Sequence, residues 1–238
     1  MCGAPLNSLV MYNDVPFFWD NWDICHHSLD TVPIRIQDNL VAFTPTKSET
    51  EISLTFEFKI SEKSSLKQRI IFYSDSPRID FRTEVEWFER KKFLKALFPV
   101  NLVSDYASFE CGSGLIRRPR HANTEWDQAR YEVCGHRFCD VSEAGFGVAV
   151  LNDCKFGYSV RDNTIGLSLL KAGEFPWEMT DKCKHEFTYS LLCHERPLTE
   201  PDDNGVFEHA MYLNSPIWAV TCPSSSEVTL PSLVQVSP

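Results

Sequence analysis

The first residues that could do chemistry lie near the start of this 238-residue sequence. Two Trp-Asp pairs, Trp19-Asp20 and Trp22-Asp23, are three residues apart. Rings beside carboxylates suit a sugar ligand, because the rings cover its apolar face and the carboxylates accept its hydroxyl protons. The alternative is a packed aromatic segment whose aspartates cap turns. Spacing alone leaves both interpretations open.

A second polar segment combines fixed cations, an amide and carboxylates beside an aromatic residue. Its candidate residues are Arg118, His121, Asn123, Asp127 and Arg130. Bidentate donors and acceptors next to a ring are what a hydroxyl-rich substrate requires. The alternative is a surface loop that contains ordinary Arg–carboxylate pairs.

No set of residues in the sequence has the spacing of a known metal-binding or nucleophile motif. His26 and His27 are adjacent, so on a strand they would face opposite ways and would not share a metal. Cys134, His136 and Cys139 lack the fourth ligand of a structural zinc site. The sequence has no glycine-rich phosphate loop and no nucleophile elbow. Its 33 acidic residues do not single out a glycosidase pair. We therefore assign no catalytic residue and no metal ligand.

The elements that must position these residues are strands. Apolar and polar residues alternate over Glu51–Ile60 and over Arg78–Trp87, where Thr83 is the polar interruption. Further strands are predicted at Gln68–Tyr73, Phe93–Val100, Gly145–Leu151, Ile165–Leu170 and Glu186–Cys193. Turn residues separate several of them, at Ser74–Pro77, Asn152-Asp153 and Arg161–Asn163. Since no long amphipathic helix is evident, the pattern predicts an all-β sandwich.

The composition of the chain limits the classes of binding partner and the cellular setting that it suits. A net charge of −10 argues against nucleic acid, because phosphate binding needs clustered cations. No apolar run approaches the ~18 residues of a membrane span. Nine irregularly spaced cysteines and the absence of an Asn-x-Ser/Thr sequon favour a cytoplasmic, reducing setting.

Several long motifs resemble the α-mannosidases of glycoside hydrolase family 38. Met11–Asp23 is similar to the family pattern DxPxYWDAWD, and Arg118–Val133 is similar to RPTHxNTSWDxARFEV. His136–Gly157 and His185–Leu192 also resemble family segments. The nearest subgroup is the cytosolic type. The sequence departs from the patterns at Asn21, which replaces Ala, at Arg120, which replaces Thr, and at Lys95–Phe98, where an acid is usual.

The resemblance implies hydrolysis of terminal α-linked mannose in free oligosaccharides or glycans, with retention. In the family one Asp is the nucleophile, a second is the acid/base, and a divalent metal, zinc or cobalt, holds the sugar. The resemblance places all three in an N-terminal domain that this sequence does not include. This chain would then be a non-catalytic lobe, a large antiparallel sandwich of galactose-mutarotase-like type, trimmed at both ends. Its partners would be that domain and a mannose-containing oligosaccharide.

The resemblance also gives an expected organisation. Residues 1–30 would lead in from the missing domain, residues 31–200 would form the sandwich, and residues 201–238 would be an incomplete β segment. Arg118 would be the arginine that approaches the substrate in some members, with the other candidates at the cleft rim or at a domain interface. One alternative is a stand-alone carbohydrate-binding or regulatory module. Another is an incomplete chain that does not fold alone.

Overall fold

Two antiparallel sheets pack face to face in the computed structural model, which describes residues 5–112, 114–178, 181–198, 205–215 and 217. The strands are β1 Ser8–Asn13, β2 Ile34–Arg35, β3 Leu40–Lys47, β4 Glu51–Lys59, β5 Ser65–Tyr73, β6 Arg78–Glu86, β7 Lys92–Pro99, β8 Tyr106–Glu110, β9 Leu115–Pro119, β10 Val133–Cys134, β11 Phe138–Glu143, β12 Phe146–Asn152, β13 Gly157–Arg161, β14 Thr164–Lys171 and β15 Lys184–His194. The helices are α1 His26–Leu29, α2 Glu125–Gln128 and α3 Val206–Asn214, with a 3-10 turn at Ile36–Asn39.

The two sheets differ in size. The smaller has the order β10-β13-β14-β7-β1-β2, and the larger has the order β3-β4-β5-β6-β15-β12-β11-β8-β9. Apolar residues from both fill the space between them, and Trp87, Tyr158 and Tyr189 are fully buried there. The predicted antiparallel sandwich is confirmed. None of the helices in the described ranges is long and apolar enough to cross a bilayer.

The polar interruption in β6 belongs to a closed hydrogen-bond network. Gln68 donates to the Thr83 hydroxyl at 2.9 Å and to the Tyr189 hydroxyl at 2.8 Å. Tyr189 in turn donates to Asn7, which donates back to Gln68 at 2.6 Å. Because each of these buried groups has a partner, the network avoids the cost of an unpaired polar atom. It also links the start of β1 to the larger sheet.

The alternation predicted for β4 holds at one end only. Phe58 is buried as expected, but Ile52 is 47% exposed and Ser53 is buried instead. Ser53 is on the face of β4 that does not carry Phe58, and its hydroxyl accepts a hydrogen bond from Arg69 of β5 there. Ile52 pairs with Phe72, which is also exposed. The smaller sheet therefore leaves this corner of the larger sheet uncovered.

The structure corrects the predicted boundaries at both ends. β1 pairs with β7 and β2, so residues 8–13 belong to the sandwich and are not a segment leading into it. The described part of 201–238 contains α3, so the β prediction is wrong there. Val206 and Ala210 are four residues apart, which places them on one helix face against the outer side of β12. Residues 201–204, 216 and 218–238 of that segment lie outside the described ranges.

Candidate functional site

The two polar segments meet on the outer face of the smaller sheet. Lys95 lies on β7 and points away from the core that alternate β7 residues fill, and its ammonium contacts Glu132 of the second segment. Lys171, at the end of β14, donates to the backbone carbonyls of Asp20 and Asp23 in the first segment. Each segment is therefore bound to the outer face of this sheet by a lysine side chain.

An open cleft of about 420 Å³ separates the segments. The Tyr131 hydroxyl donates across it to the carbonyl of Ile24, so the two walls are joined directly. The residues that line it include Asn21, Trp22, Asp23, Tyr131, Glu132 and Lys171. Amide, carboxylate, phenol and ammonium groups beside one indole ring form a wall that hydroxyl groups can bind.

Several exposed aromatic rings belong to the first segment and to the loop that Asp20 contacts, and one of them, Trp22, lines the cleft. Trp19 and Trp22 stack with ring centroids 4.9 Å apart and planes inclined by 7°, and Phe175 lies 5.0 Å from Trp19. We use the term aromatic surface for Phe17, Phe18, Trp19, Trp22, Phe175 and Trp177, which are 46–74% exposed. An apolar area of this kind usually marks an interaction site.

The two aspartates of the Trp-Asp pairs have different roles. Asp20 is 2% exposed, and its carboxylate accepts from the backbone N–H groups of Glu174 and Phe175 at 2.8 and 2.6 Å. Asp23 is exposed, and its carboxylate accepts a local hydrogen bond from the N–H of Ile24. Asp20 therefore fixes the loop that carries Phe175, and Asp23 is the one that is free to meet a ligand.

Asn21, which replaces the Ala of the family pattern, ties the same loop. Its amide donates to the carbonyl of Trp177 at 3.0 Å, and its N–H donates to that of Phe175. A Cβ added at Gly173 would lie 2.1 Å from the Asn21 Oδ1 atom. Asn21 and Gly173 thus form a close contact that a larger residue at 173 would disrupt.

A buried ion pair underlies the cleft and was not predicted from the sequence. Lys95 is 1% exposed, and its ammonium contacts Glu132 and donates to the Ser159 hydroxyl. Ser168 donates to the other Glu132 oxygen at 3.0 Å. Burial lowers the pKa of Lys95 to about 7, while the adjacent carboxylate opposes this shift by favouring the ammonium. The signal in the sequence was a lone lysine in an apolar strand.

The second segment forms the short helix α2. Thr124 and Asp127 make a capping box, in which each side chain accepts from the other's backbone N–H. The Thr124 hydroxyl, with smaller contributions from nearby His121 and Arg130, lowers the pKa of Asp127. Asn123 is exposed on the same turn. Asp127 is thus the N3 residue of the capping box, and it lies 3.3 Å from Arg130, an Arg–carboxylate pair of the kind that the surface-loop interpretation predicts.

Arg118 lies apart from the cleft. It is on β9, at the edge of the larger sheet, and its guanidinium covers the ring of Phe109 at 4.6 Å. Its Nη1 atom is buried and has no hydrogen-bond partner within the described residues. The structure therefore does not bring Arg118 together with Trp19, Trp22 or Asp23.

The histidine pair is not on a strand, so the reason given against a shared metal is wrong. His26 and His27 begin α1, and their ring centroids are 3.8 Å apart. Cys134, His136 and Cys139 do not converge, since Cys139 is buried in β11. In the described ranges, one group of three side chains could hold a metal: His26, His27 and Asp30.

Comparison with known proteins gives a consistent result. The family model for the glycosyl hydrolases family 38 C-terminal domain matches residues 3–179. The chain is 42% identical over 236 residues, 99% of its length, to the human protein named Alpha-mannosidase 2C1. It is 38% identical over 205 residues to Alpha-mannosidase of Saccharomyces cerevisiae.

A solved structure supports the fold. An α-mannosidase from Enterococcus faecalis V583 superposes with a TM-score of 0.71 at 15% identity, over 81% of this chain and 26% of that chain. The chain spans only 22% of the human relative and 18% of the yeast relative. What it shares with these proteins is therefore one region of a longer protein.

Proposed function

Because the chain belongs to the family of glycosyl hydrolase family 38 C-terminal domains, we propose that it is the β lobe of an α-mannosidase. The enzyme removes terminal α-linked mannose from free oligosaccharides or glycans with retention. The observation that carries this is the alignment of 99% of the chain with 22% of a relative named α-mannosidase. The nucleophile and acid/base come from another domain. A zinc or cobalt ion there supplies a Lewis acid for the sugar hydroxyls, and no residue of this chain matches its ligand motifs.

The lobe's contribution is to support that domain. The aromatic surface is rigid, since Asp20 and Asn21 fix the loop that carries Phe175 and Trp177. Rings held in this way lose little entropy when they are covered by a second protein surface. In this proposal the aromatic surface contacts the catalytic domain, and the neighbouring cleft lies at the edge of that contact.

We also propose that the enzyme works in the cytoplasm. The described cysteines are all free thiols, at positions 25, 111, 134, 139, 154, 183 and 193. Four of them, Cys134, Cys154, Cys183 and Cys193, are exposed. Exposed thiols persist in a reducing compartment and oxidise outside it.

One experiment tests the lobe's lack of chemistry. The 238-residue chain is assayed on an aryl α-mannoside with added zinc or cobalt. We expect turnover no faster than the buffer blank, because the lobe carries neither nucleophile nor acid/base. Robust metal-dependent turnover would contradict the proposal.

A chimera tests the parent activity. The matching 236-residue segment of human Alpha-mannosidase 2C1 is replaced by this chain, whose 42% identity fixes the alignment. We expect the chimera to hydrolyse the mannoside. A version with Trp19→Ser and Trp22→Ser should lose activity, because the contact between the lobe and the catalytic domain is weakened. The matched control is Trp126→Ser, since Trp126 is 79% exposed on α2 and outside the aromatic surface. A folded but inactive chimera would overturn the proposal.

A carbohydrate-binding module is the second candidate, favoured by the cleft beside Trp22. Mannose oligosaccharides are titrated against the chain by calorimetry and tryptophan fluorescence. Binding that is lost in Trp22→Ala and kept in Trp126→Ala would support this function. No heat and no fluorescence change at millimolar sugar would exclude it.

A further inference from the structure

Three potential metal ligands project from one short turn. The ligand atoms of His26, His27 and Asp30 all lie within 4.8 Å of one another. The His27 Nδ1 atom is 3.9 Å from the Asp30 Oδ2 atom. In a helical turn, residues three and four apart are neighbours, which explains how Asp30 reaches both rings.

The turn is anchored from its buried side. Ser28 is fully buried, donates to the Asp14 carboxylate at 3.2 Å and accepts from the Val15 N–H at 2.9 Å. Thr31 donates to the Ser28 carbonyl at 2.8 Å. The backbone is thus fixed from beneath while the three side chains face outward.

Aromatic neighbours limit the rotation of both imidazoles. His27 meets the edge of Phe17 at 5.0 Å, and His26 lies 6.1 Å from Tyr131. Ligands that are already restricted lose less entropy when an ion binds. The site is therefore partly organised before any ion arrives.

The distances suit a small ion after modest side-chain rotation. A tetrahedral ion with bonds of ~2.0–2.1 Å holds its ligand atoms roughly 3.3 Å apart. The 3.9 Å pair must close by about 0.6 Å, and no pair by more than ~1.5 Å. Two imidazole nitrogens and one carboxylate select zinc, cobalt or nickel over magnesium and calcium, which prefer oxygen ligands.

We propose that His26, His27 and Asp30 bind one first-row divalent cation, such as Zn²⁺ or Co²⁺, with water completing its coordination. The competing explanation is an ordinary surface ion pair between His27 and Asp30. With side chains 43% and 75% exposed, such a pair stabilises a protein little and binds nothing.

A cobalt titration separates the two explanations. Co²⁺ is added to the 238-residue chain and binding is followed by the d–d absorption of the ion. This absorption becomes more intense when the hydrated, six-coordinate ion becomes four-coordinate at a site with three protein ligands. We expect one equivalent to bind without the thiolate charge-transfer absorption that the exposed cysteines would give. His26→Gln, His27→Gln and Asp30→Asn should each weaken binding at least tenfold.

The matched control is His121→Gln, which removes a surface histidine 3.4 Å from an aspartate and should leave the affinity unchanged. Melting curves of each variant establish that it folds. As an independent readout, Co²⁺ should broaden the imidazole NMR signals of His26 and His27 before those of the other five histidines. Absence of saturable binding, a thiolate band, or unchanged affinity in the three variants would sink the proposal.

Discussion

At the scale of single residues, chemical type could be predicted from the sequence but role could not. Trp19, Asp20, Trp22 and Asp23 were equal candidates, since their spacing is symmetrical. The structure separates the aspartates because Asp20 meets backbone groups more than 150 residues away. A contact so distant in sequence leaves no local pattern. The position of Arg118 over Phe109 could not be predicted for the same reason, because it depends on strand order, and the role of Arg118 near a substrate stays a prediction.

Replacing Asp20 by Ala should lower the free energy of unfolding by about 1–3 kcal/mol, because two buried N–H groups lose their acceptor. Asp23→Ala is the matched control in the same motif and should change stability by less than ~0.5 kcal/mol. Urea denaturation of both variants checks this. Equal effects would show that Asp20 does not have the structural role assigned here.

His194 should make stability depend on pH. Its Nε2 atom lies 2.7 Å from the Asp140 carboxylate and its Nδ1 atom 2.6 Å from the Arg196 carbonyl. Burial by itself lowers the pKa of His194, but the Asp140 hydrogen bond and charge outweigh it, so the net shift is upward. The stabilisation is therefore complete below the unfolded value of about 6.5 and is lost as pH rises through the folded pKa.

The measurement is the difference in free energy of unfolding between the wild type and His194→Gln. It should be larger at pH 6 than at pH 9. A difference for His194→Gln that stays constant across this range would contradict a charged His194–Asp140 pair.

At the scale of elements, the strands with strong alternation were predicted and the irregular ones were not. β4, β6 and β15 were found because one face is apolar. β9 was missed because its arginines resemble a loop, and β3 was missed because it has no buried residue. The turn at Arg161–Asn163 was predicted correctly, and Asp162 and Asn163 there have positive φ angles of 48° and 57°.

Strand β12 offers a direct test of close packing. A Cβ at Gly147 would lie 2.1 Å from the His194 ring, whereas nothing lies within 4 Å of one at Gly145. Gly147→Ala should displace His194 and destabilise the protein by roughly 1–3 kcal/mol. Gly145→Ala should be nearly neutral. Denaturation curves of both variants give their free energies of unfolding. An unchanged value for Gly147→Ala would show that the His194 ring has room to move.

At the scale of the whole molecule, the sandwich was predictable and its strand order was not. Period-two patterns fix which face of a strand is buried, but they do not say which strand lies beside it. β15 lies between β6 and β12, and β1 lies between β7 and β2, so strands that are distant in the sequence become neighbours in the sheets. The cleft follows from that order. Of its lining residues, only Trp22 and Asp23 were candidates from the sequence, and their convergence with Tyr131, Glu132 and Lys171 could not be predicted.

The aromatic surface should make the isolated chain associate with itself. Exposed aromatic rings bind one another when no partner covers them. Sedimentation velocity should show concentration-dependent dimers or larger species that diminish in Trp22→Ser/Trp177→Ser. Trp126→Ser serves as control and should leave association unchanged. A strictly monomeric wild type at high concentration would argue against this surface as a contact site.

The smaller sheet also stays incomplete for part of the time in which this lobe leaves the ribosome. β7 pairs with β1 on one side and with β14 on the other. Synthesis at ~5–20 residues per second takes roughly 3–13 s to proceed from Pro99 to Thr164. After β7 emerges and until β14 follows, β7 has one open edge that other chains can pair with. Translation speed between Pro99 and Thr164 thus influences how much of the product folds correctly.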